Sequence, residues 1–426
     1  MISVRSRIGI GLGICAMVSL LGSNPVSAAE DAAESLWKTM GFKIYGAVDA
    51  SYTQNFNNPN TNVNSLRIFD TQANSFSPNL AQVVLERPAR AGGSAMDRVG
   101  FRTRLSFGSN ARFSRARTNF QPGVADNEVD PQELYAEYLA PIGNGLLLQA
   151  GKMHTLIGYE VINSWENPNF SRTFMFGLAQ AFTETGIRAT YQFNPMVTAT
   201  VGLINGWDNI EDNNRGKTVV WLVALTPHER FGVNFFGSYG AEQTNSPGVG
   251  PATPAAPGAD PSAKRLVAGA IITAKVTDSD TIILEPYYGN ESNASGARLA
   301  AGHSPNARWN GLGAYHIHDF NDEWSTRIRG EIFEDAGGAR TCAGAVNFQG
   351  GTNTCFGTPV TVPATFGGGL AQTLWEVTGT LQYKPAPALI TRVEFRYDKS
   401  DKSVFLQGSE ASNNQQTLSF QVVYLF

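Results

Sequence analysis

The arginines and carboxylates of this sequence recur at every second position, not at the spacing of a catalytic set. Arg98, Arg102 and Arg104 share one parity, and Arg112, Arg115 and Arg117 follow them. Arg188, Arg327, Arg329, Arg392 and Arg396 fall on the polar side of similar alternations, as do Asp49, Glu133, Glu137, Glu331, Glu376 and Glu394. Alternate side chains of a strand point to opposite faces, so each set shares one face. Fixed charges lining a narrow polar passage sort and orient ions and dipolar solutes; they do not make or break bonds. The competing reading is that the same charges only pair with one another across neighbouring strands.

Other chemistry is thinly supported. After the leader the histidines are His154, His228, His303, His316 and His318, and none stands in a nucleophile context such as a hydrolase needs. His316 and His318 share a strand face, but a metal site needs further ligands, and Asp319 and Asp322 lie at a turn. No metal and no cofactor is expected. The Gly9-x-Gly11-x-Gly13 spacing sits in the leader and carries no nucleotide-binding meaning. A net charge of -4 leaves no basic footprint for nucleic acid.

The elements that carry these charges are strands. Charged residues are only 16% of the chain, aromatics reach 11%, and there are 44 glycines, a composition of strands and turns. Phe42, Ile44, Val48 and Tyr52 alternate with Lys43, Tyr45, Asp49, Ser51 and Thr53. The pattern returns at Val99-Phe101-Leu105-Phe107, at Ile187-Ala189-Tyr191-Phe193, at Trp324-Ile328-Ile332 and at Val393-Phe395-Tyr397. A soluble sandwich alternates too; the connections separate the two cases. Short links (Pro141–Asn144, Asn194-Pro195, Thr226–Glu229, Thr277–Asp280, Asp319–Asp322, Lys384–Pro387) take turns with long ones (Asn55–Pro78, Ser109–Val129, His154–Thr183, Gly240–Ala263, Asn290–Asn306, Ala336–Gly369, Lys399–Asn414). Tight turns at one end and large loops at the other mark an outer-membrane barrel. The predicted fold is all-β: a transmembrane, antiparallel up-and-down β-barrel of about sixteen strands, with short periplasmic turns and long extracellular loops.

The ends of the chain fit export to that membrane. Arg5 and Arg7, the apolar run Ile8–Leu21 and Val26-Ser27-Ala28 read as a secretory leader over 1–28, followed by a short periplasmic segment over 29–40 and the barrel over 41–426. The last strand alternates Leu418, Phe420, Val422, Tyr424 and Phe426 with Thr417, Ser419 and Gln421. Such a strand ending in Phe426 is what barrel-insertion machinery is expected to read. Phe101, Tyr191, Val393 and Phe420 are expected to face outer-membrane lipid. Beyond the leader, Cys342 and Cys355 remain, and in an exported protein they are expected to form one disulfide.

With the strands placed, the sequence resembles the OmpL-like family of β-barrel porins over roughly Gly41 to Phe426. The residues that carry the likeness are Gly100-Phe101-Arg102, Phe107-Gly108, Gly151-Lys152, Gly158-Tyr159-Glu160, Asn167-Pro168-Asn169-Phe170-Ser171-Arg172 and Thr185-Gly186-Ile187-Arg188. The family often has His before the Thr-Gly pair, where this chain has Glu184. The resemblance implies a passive outer-membrane channel for ions and small hydrophilic solutes, commonly a homotrimer; it names no solute. Two other readings compete: a loop-mediated adhesin or structural barrel, and an outer-membrane lipase.

The pore-lining candidates are Arg98, Arg102, Arg104, Glu133, Glu137, Arg188, Arg327, Arg329, Glu331, Glu376, Arg392, Glu394 and Arg396. The segment His154–Thr183 mixes Tyr159, Trp165, Phe170, Phe174 and Phe176 with Glu160, Glu166 and Arg172, more aromatics than an external loop needs. Folded into the barrel, it would place Tyr159, Glu160, Glu166 and Arg172 at a constriction.

Overall fold

The computed structural model describes residues 41–114, 116, 128–243, 262–293, 306–336, 338, 340–341 and 371–426. The expected leader over 1–28, the expected segment over 29–40, Arg115, Arg117, His303 and the expected Cys342–Cys355 pairing lie outside the described residues.

Among the described residues, sixteen antiparallel strands close into one barrel in sequence order. They are β1 (Lys43–Asn55), β2 (Ser75–Arg87), β3 (Val99–Phe107), β4 (Val129–Ala140), β5 (Leu146–His154), β6 (Thr183–Asn194), β7 (Val197–Trp207) and β8 (Thr218–His228). The circuit continues through β9 (Phe231–Ala241), β10 (Lys264–Lys275), β11 (Asp280–Glu291), β12 (Ala307–Asp319), β13 (Trp324–Asp335), β14 (Gln372–Ala386), β15 (Leu389–Ser400) and β18 (Asn414–Leu425). A small hairpin, β16 (Phe405–Gln407) with β17 (Glu410–Ser412), decorates the last extracellular loop. No described helix is long and apolar enough to cross a membrane; strands that bond only to one another leave no backbone group unpaired in lipid.

β1 and β18 seal the barrel, pairing from Ala47↔Leu425 to Asn55↔Thr417. At the end of the seam Gly46 N donates to Phe426 O (2.9 Å) and Phe426 N donates to Gly46 O (3.1 Å). The terminal ring lies over Gly46, where a Cβ would sit 2.6 Å from Phe426 Cζ. The Gln82 carbonyl of β2 would lie closer still, at 2.1 Å, so only glycine fits between that strand and the ring.

The alternation read from the sequence sorts the faces. Phe101 and Tyr191 lie on the outer wall with Val393 and Phe420, which stay exposed, as do Ile187, Ile328 and Phe395. At the periplasmic rim aromatic pairs gather: Phe42 with Phe101 (5.8 Å between centroids), Tyr191 with Phe193 (5.0 Å) and Trp324 stacked on Tyr383 (4.3 Å). Such a girdle sits at the level of the headgroups.

Two connections depart from the expected punctuation. β2 and β3 are joined by a longer periplasmic link that ends in a 3-10 turn, Ala95–Arg98. Ser94 N–H donates to Asp97 Oδ2 (2.7 Å), and this bond holds the Asp97 carboxyl below the usual range. β7 and β8 are joined by a further extracellular loop, residues 208–217. The inner face is also less uniformly polar than alternation implied. From β8 to β12 it carries Val220, Phe236, Val267, Ile283 and Trp309, all buried.

Candidate functional site

The lumen is occupied by the link from β5 to β6, which turns inward and crosses the barrel. Its short helix α2 (Phe174–Ala179), which follows the single turn α1 (Ala111–Ser114) in the chain, begins at Thr173, whose side chain accepts from Phe176 N (3.0 Å). Phe174, Met175, Leu178 and Ala179 pack into one cluster with Val267, Ile283, Trp309 and Tyr315 of the apolar inner wall. That wall is therefore a seat for the loop, which explains the apolar residues on the inner face of β8 to β12.

The opposite edge of the loop is gripped through its backbone. Glu394 accepts from Phe170 N (2.6 Å) and Ser171 N (2.9 Å). Glu331 does the same for Phe174 N and Met175 N, both at 2.6 Å. Arg392 donates to Ser164 O (2.8 Å) and Asn167 O (2.9 Å), and Arg396 donates to Arg172 O. Glu160 accepts from Thr173 N (2.7 Å) and pairs with Arg329 (2.8 Å), which also pairs with Glu376 (2.6 Å) and donates to Ser171 O (2.6 Å). An irregular backbone inside a barrel needs partners for every N–H and C=O, and charged partners make the strongest bonds. Six expected pore-lining residues, Arg329, Glu331, Glu376, Arg392, Glu394 and Arg396, thus point inward but are covered by the loop and closed to solvent.

Arg172 and Glu160 share that fate. Arg172 turns back onto Ile162 O and Phe170 O, and burial pulls its guanidinium below the usual range despite Glu160 nearby. Tyr159 is edge-on to Tyr315 (4.9 Å), its N–H donates to Glu285 (3.1 Å), and burial raises its phenol. Arg340, just beyond β13, lies between the rings of Trp207 (5.1 Å) and Trp309 (5.2 Å) and donates to Leu178 O (2.6 Å). Burial, with Arg265 beside it, pushes Arg340 down to about 10.

The β3–β6 side differs. Arg102 pairs with Glu86 (2.9 Å) and Glu133 (3.6 Å); Arg104 pairs with Glu133 (2.8 Å) and reaches Glu166 of the loop (3.4 Å). Arg104, Glu133, Arg188 and Glu184 are buried here too, but the Glu166 and Arg102 side chains keep 41% and 25% of their exposure, whereas Glu160, Arg329 and Glu376 keep 0%. Glu137 accepts from Ala89 N (2.7 Å) and Gln149 (3.2 Å). Arg188 pairs with Glu184 (2.6 Å), which also accepts from Thr155 Oγ1 (2.6 Å). The residue that departs from the family pattern therefore holds the start of the inward loop. Arg98 donates to Leu139 O (3.1 Å) and Arg327 pairs with Asp319 (2.9 Å), both near the periplasmic rim.

Several holders were not singled out from sequence. Ser164 donates to Asp49 (2.7 Å), and Gln421 donates to Ser164 (2.6 Å) and Asp49 (2.9 Å). Asn163 exchanges bonds with Gln82 (3.1 and 3.2 Å). Their signal in the sequence is the uncharged amide on the polar side of a strand, Gln82 of β2 and Gln421 of β18. His316 and His318 point outward and both bond Asp280 Oδ1 (3.0 and 2.8 Å). Among the described residues no group of three or more His, Cys, Asp or Glu is disposed to hold a metal ion.

A closed barrel with long loops at one end and one loop folded across its lumen defines an outer-membrane porin. The chain belongs to the family described as Putative beta-barrel porin-2, OmpL-like, whose pattern matches residues 41–426. Solved porins share the fold at low identity. OprB of Pseudomonas putida is 10% identical, with 93% of this chain and 97% of that one covered and a TM-score of 0.56. OmpF of Salmonella typhi, solved with daunomycin, is 11% identical over 91% and 99%, with a TM-score of 0.54. OmpT of Vibrio cholerae in a trimer form is 9% identical over 90% and 99%, with a TM-score of 0.53. No curated protein matches the sequence.

Proposed function

We propose that small hydrophilic solutes and ions cross this porin between the free edge of the inward loop and the β3–β6 wall. The observation that carries the reading is the asymmetry of exposure: Glu166 and Arg102 keep access to solvent, while the β13–β15 side is sealed. Solutes would then pass Glu86, Arg102 and Glu166, whose charges are linked through the buried Glu133 and Arg104, and this alternation orients dipoles and discriminates ions by sign. The assembly proposed is a homotrimer, as in the trimer form of OmpT, and cross-linking of detergent-solubilised protein checks it.

Reversal potentials in a planar bilayer test the path. Glu166→Gln should shift selectivity toward anions, and Arg102→Gln toward cations. Unchanged reversal potential and conductance in both would move the path elsewhere. Because loops fill so much of the lumen, the structural-barrel reading has its own signature: a folded barrel with no conductance at all.

A further inference from the structure

The link from β1 to β2, residues 56–74, also enters the barrel, from the extracellular side and independently of the β5–β6 loop. Its neck is closed by Asn64 N donating to Thr71 O (2.8 Å) and Ala73 N donating to Asn62 O (2.9 Å). Beyond the neck the tip, Ser65–Asp70, is wholly buried. Leu66 joins the cluster of Phe174 and Met175, and Phe69 stacks among Phe113, Phe176 and Phe182 at 5.5–6.0 Å. Ile68 packs so closely on α2 that a Cβ at Gly177 would lie 3.2 Å from it.

One side chain ties this tip to the wall. Arg67 bonds Asp398 of β15 through Nε (2.8 Å) and Nη2 (2.6 Å), reaches Thr417 of β18 (3.2 Å) and pairs with Asp70 of its own loop. Burial pulls this guanidinium down, but Asp398 and Asp70 more than offset it and hold it above the usual range. Gln415 clasps the same tip, accepting from Ser65 N (3.1 Å) and donating to Ser65 O (3.0 Å). Leu66 (φ 58°) and Phe69 (φ 79°) stand in the left-handed region, an uphill backbone for bulky side chains. Such a conformation persists only where the surroundings over-determine it, and here Arg67 and the aromatic seat do so.

We infer that residues 65–70 form a second constriction stacked on the extracellular side of the first, and that Arg67 is the positioning residue that seats it. The inference rests on the channel reading. It makes the size limit for solutes the product of two loops, the outer one anchored to the wall by Arg67 and Gln415.

The experiment replaces Ser65–Asp70 by two glycines, which keeps the neck, and separately makes Arg67→Gln. The point variant leaves Asp398 paired with Arg396 (2.6 Å) and Gln415 (2.8 Å), so the wall stays satisfied. Folding is checked by the heat-modifiable migration of the intact barrel. The readouts are single-channel conductance and the exclusion limit for polyethylene glycols of graded size, which a purely structural role would not move. The tip replacement should raise conductance on the order of two-fold and admit larger polymers, with Arg67→Gln intermediate. A silent wild type whose tip replacement conducts would support the inference in its strongest form. Wild-type conductance and exclusion limit retained in both variants would overturn it and leave the channel reading standing. No conductance in wild type or variants would overturn both.

Discussion

The inner wall at β13–β15 and the inner wall at β3–β6 carry the same kinds of residue and use them differently. On the first, Arg329, Glu331 and Glu394 are closed to solvent and bond the backbone of the inward loop, with Glu376 buried behind them against Arg329. On the second, Arg102 pairs side chain to side chain with Glu86 and Glu133 and stays partly wet. Buried charges must be paired, and their loss leaves partners stranded in a poor solvent; half-exposed charges are rescued by water. The first wall therefore holds the loop, and on the proposed path the second is what a solute meets.

Removing one charge from each side is the sharpest way to break this comparison. Arg329→Ala leaves Glu160 with no ion pair and Glu376 with only the longer one to Arg396 (3.7 Å), and should cost about 3–5 kcal/mol, read as a lowered urea midpoint with a rise in conductance as the loop loosens. Arg102→Ala should cost under about 1 kcal/mol. Equal losses would abolish the distinction. A triple variant, Arg329→Met with Glu160→Gln and Glu376→Gln, should recover most of the stability, because no charge is left alone.

A smaller effect is expected at the carboxylates that hold paired N–H groups. Glu394→Leu removes two charge-assisted bonds to Phe170 and Ser171 and should cost about 1.5–3 kcal/mol by the same measurement, with no change in ion preference at matched loop position. On the wet wall the signature is inverted. Arg102→Gln with Arg104→Gln should shift reversal potentials toward cations, and the shift should fade at 1 M salt, where the Debye length is ~3 Å. Neutralising Glu160 is not an equivalent test of the path, because that carboxylate is sealed against Arg329. Glu166→Gln is.

The smallest effect probes how tightly the two loops meet. Gly177→Ala gains helix propensity in α2 but presses a methyl against Ile68 at 3.2 Å, so the net stability should move by no more than about 1 kcal/mol. A larger loss would mean that the tip at Ser65–Asp70 cannot shift even slightly on α2.

The barrel is legible in the sequence. Period-two alternation, the ring at Phe426 and the rhythm of short and long links follow from local rules: pleat parity, turn chemistry and the need to pair every backbone group in lipid. The sequence also marked His154–Thr183 as too aromatic for an external loop. It did not reveal the loop of residues 208–217, whose polar run is short, or the inward turn of 56–74, whose asparagines and serines resemble those of an exposed loop. Nor did parity separate Arg102 from Arg329. Both sit on the inner face of a strand, and parity is blind to what lies opposite. Only the tertiary structure decides that Glu160 meets Arg329 across 169 positions of chain and that Arg67 meets Asp398 across 331. Those contacts depend on where two loops end after the barrel has closed around them, and no local period encodes that distance.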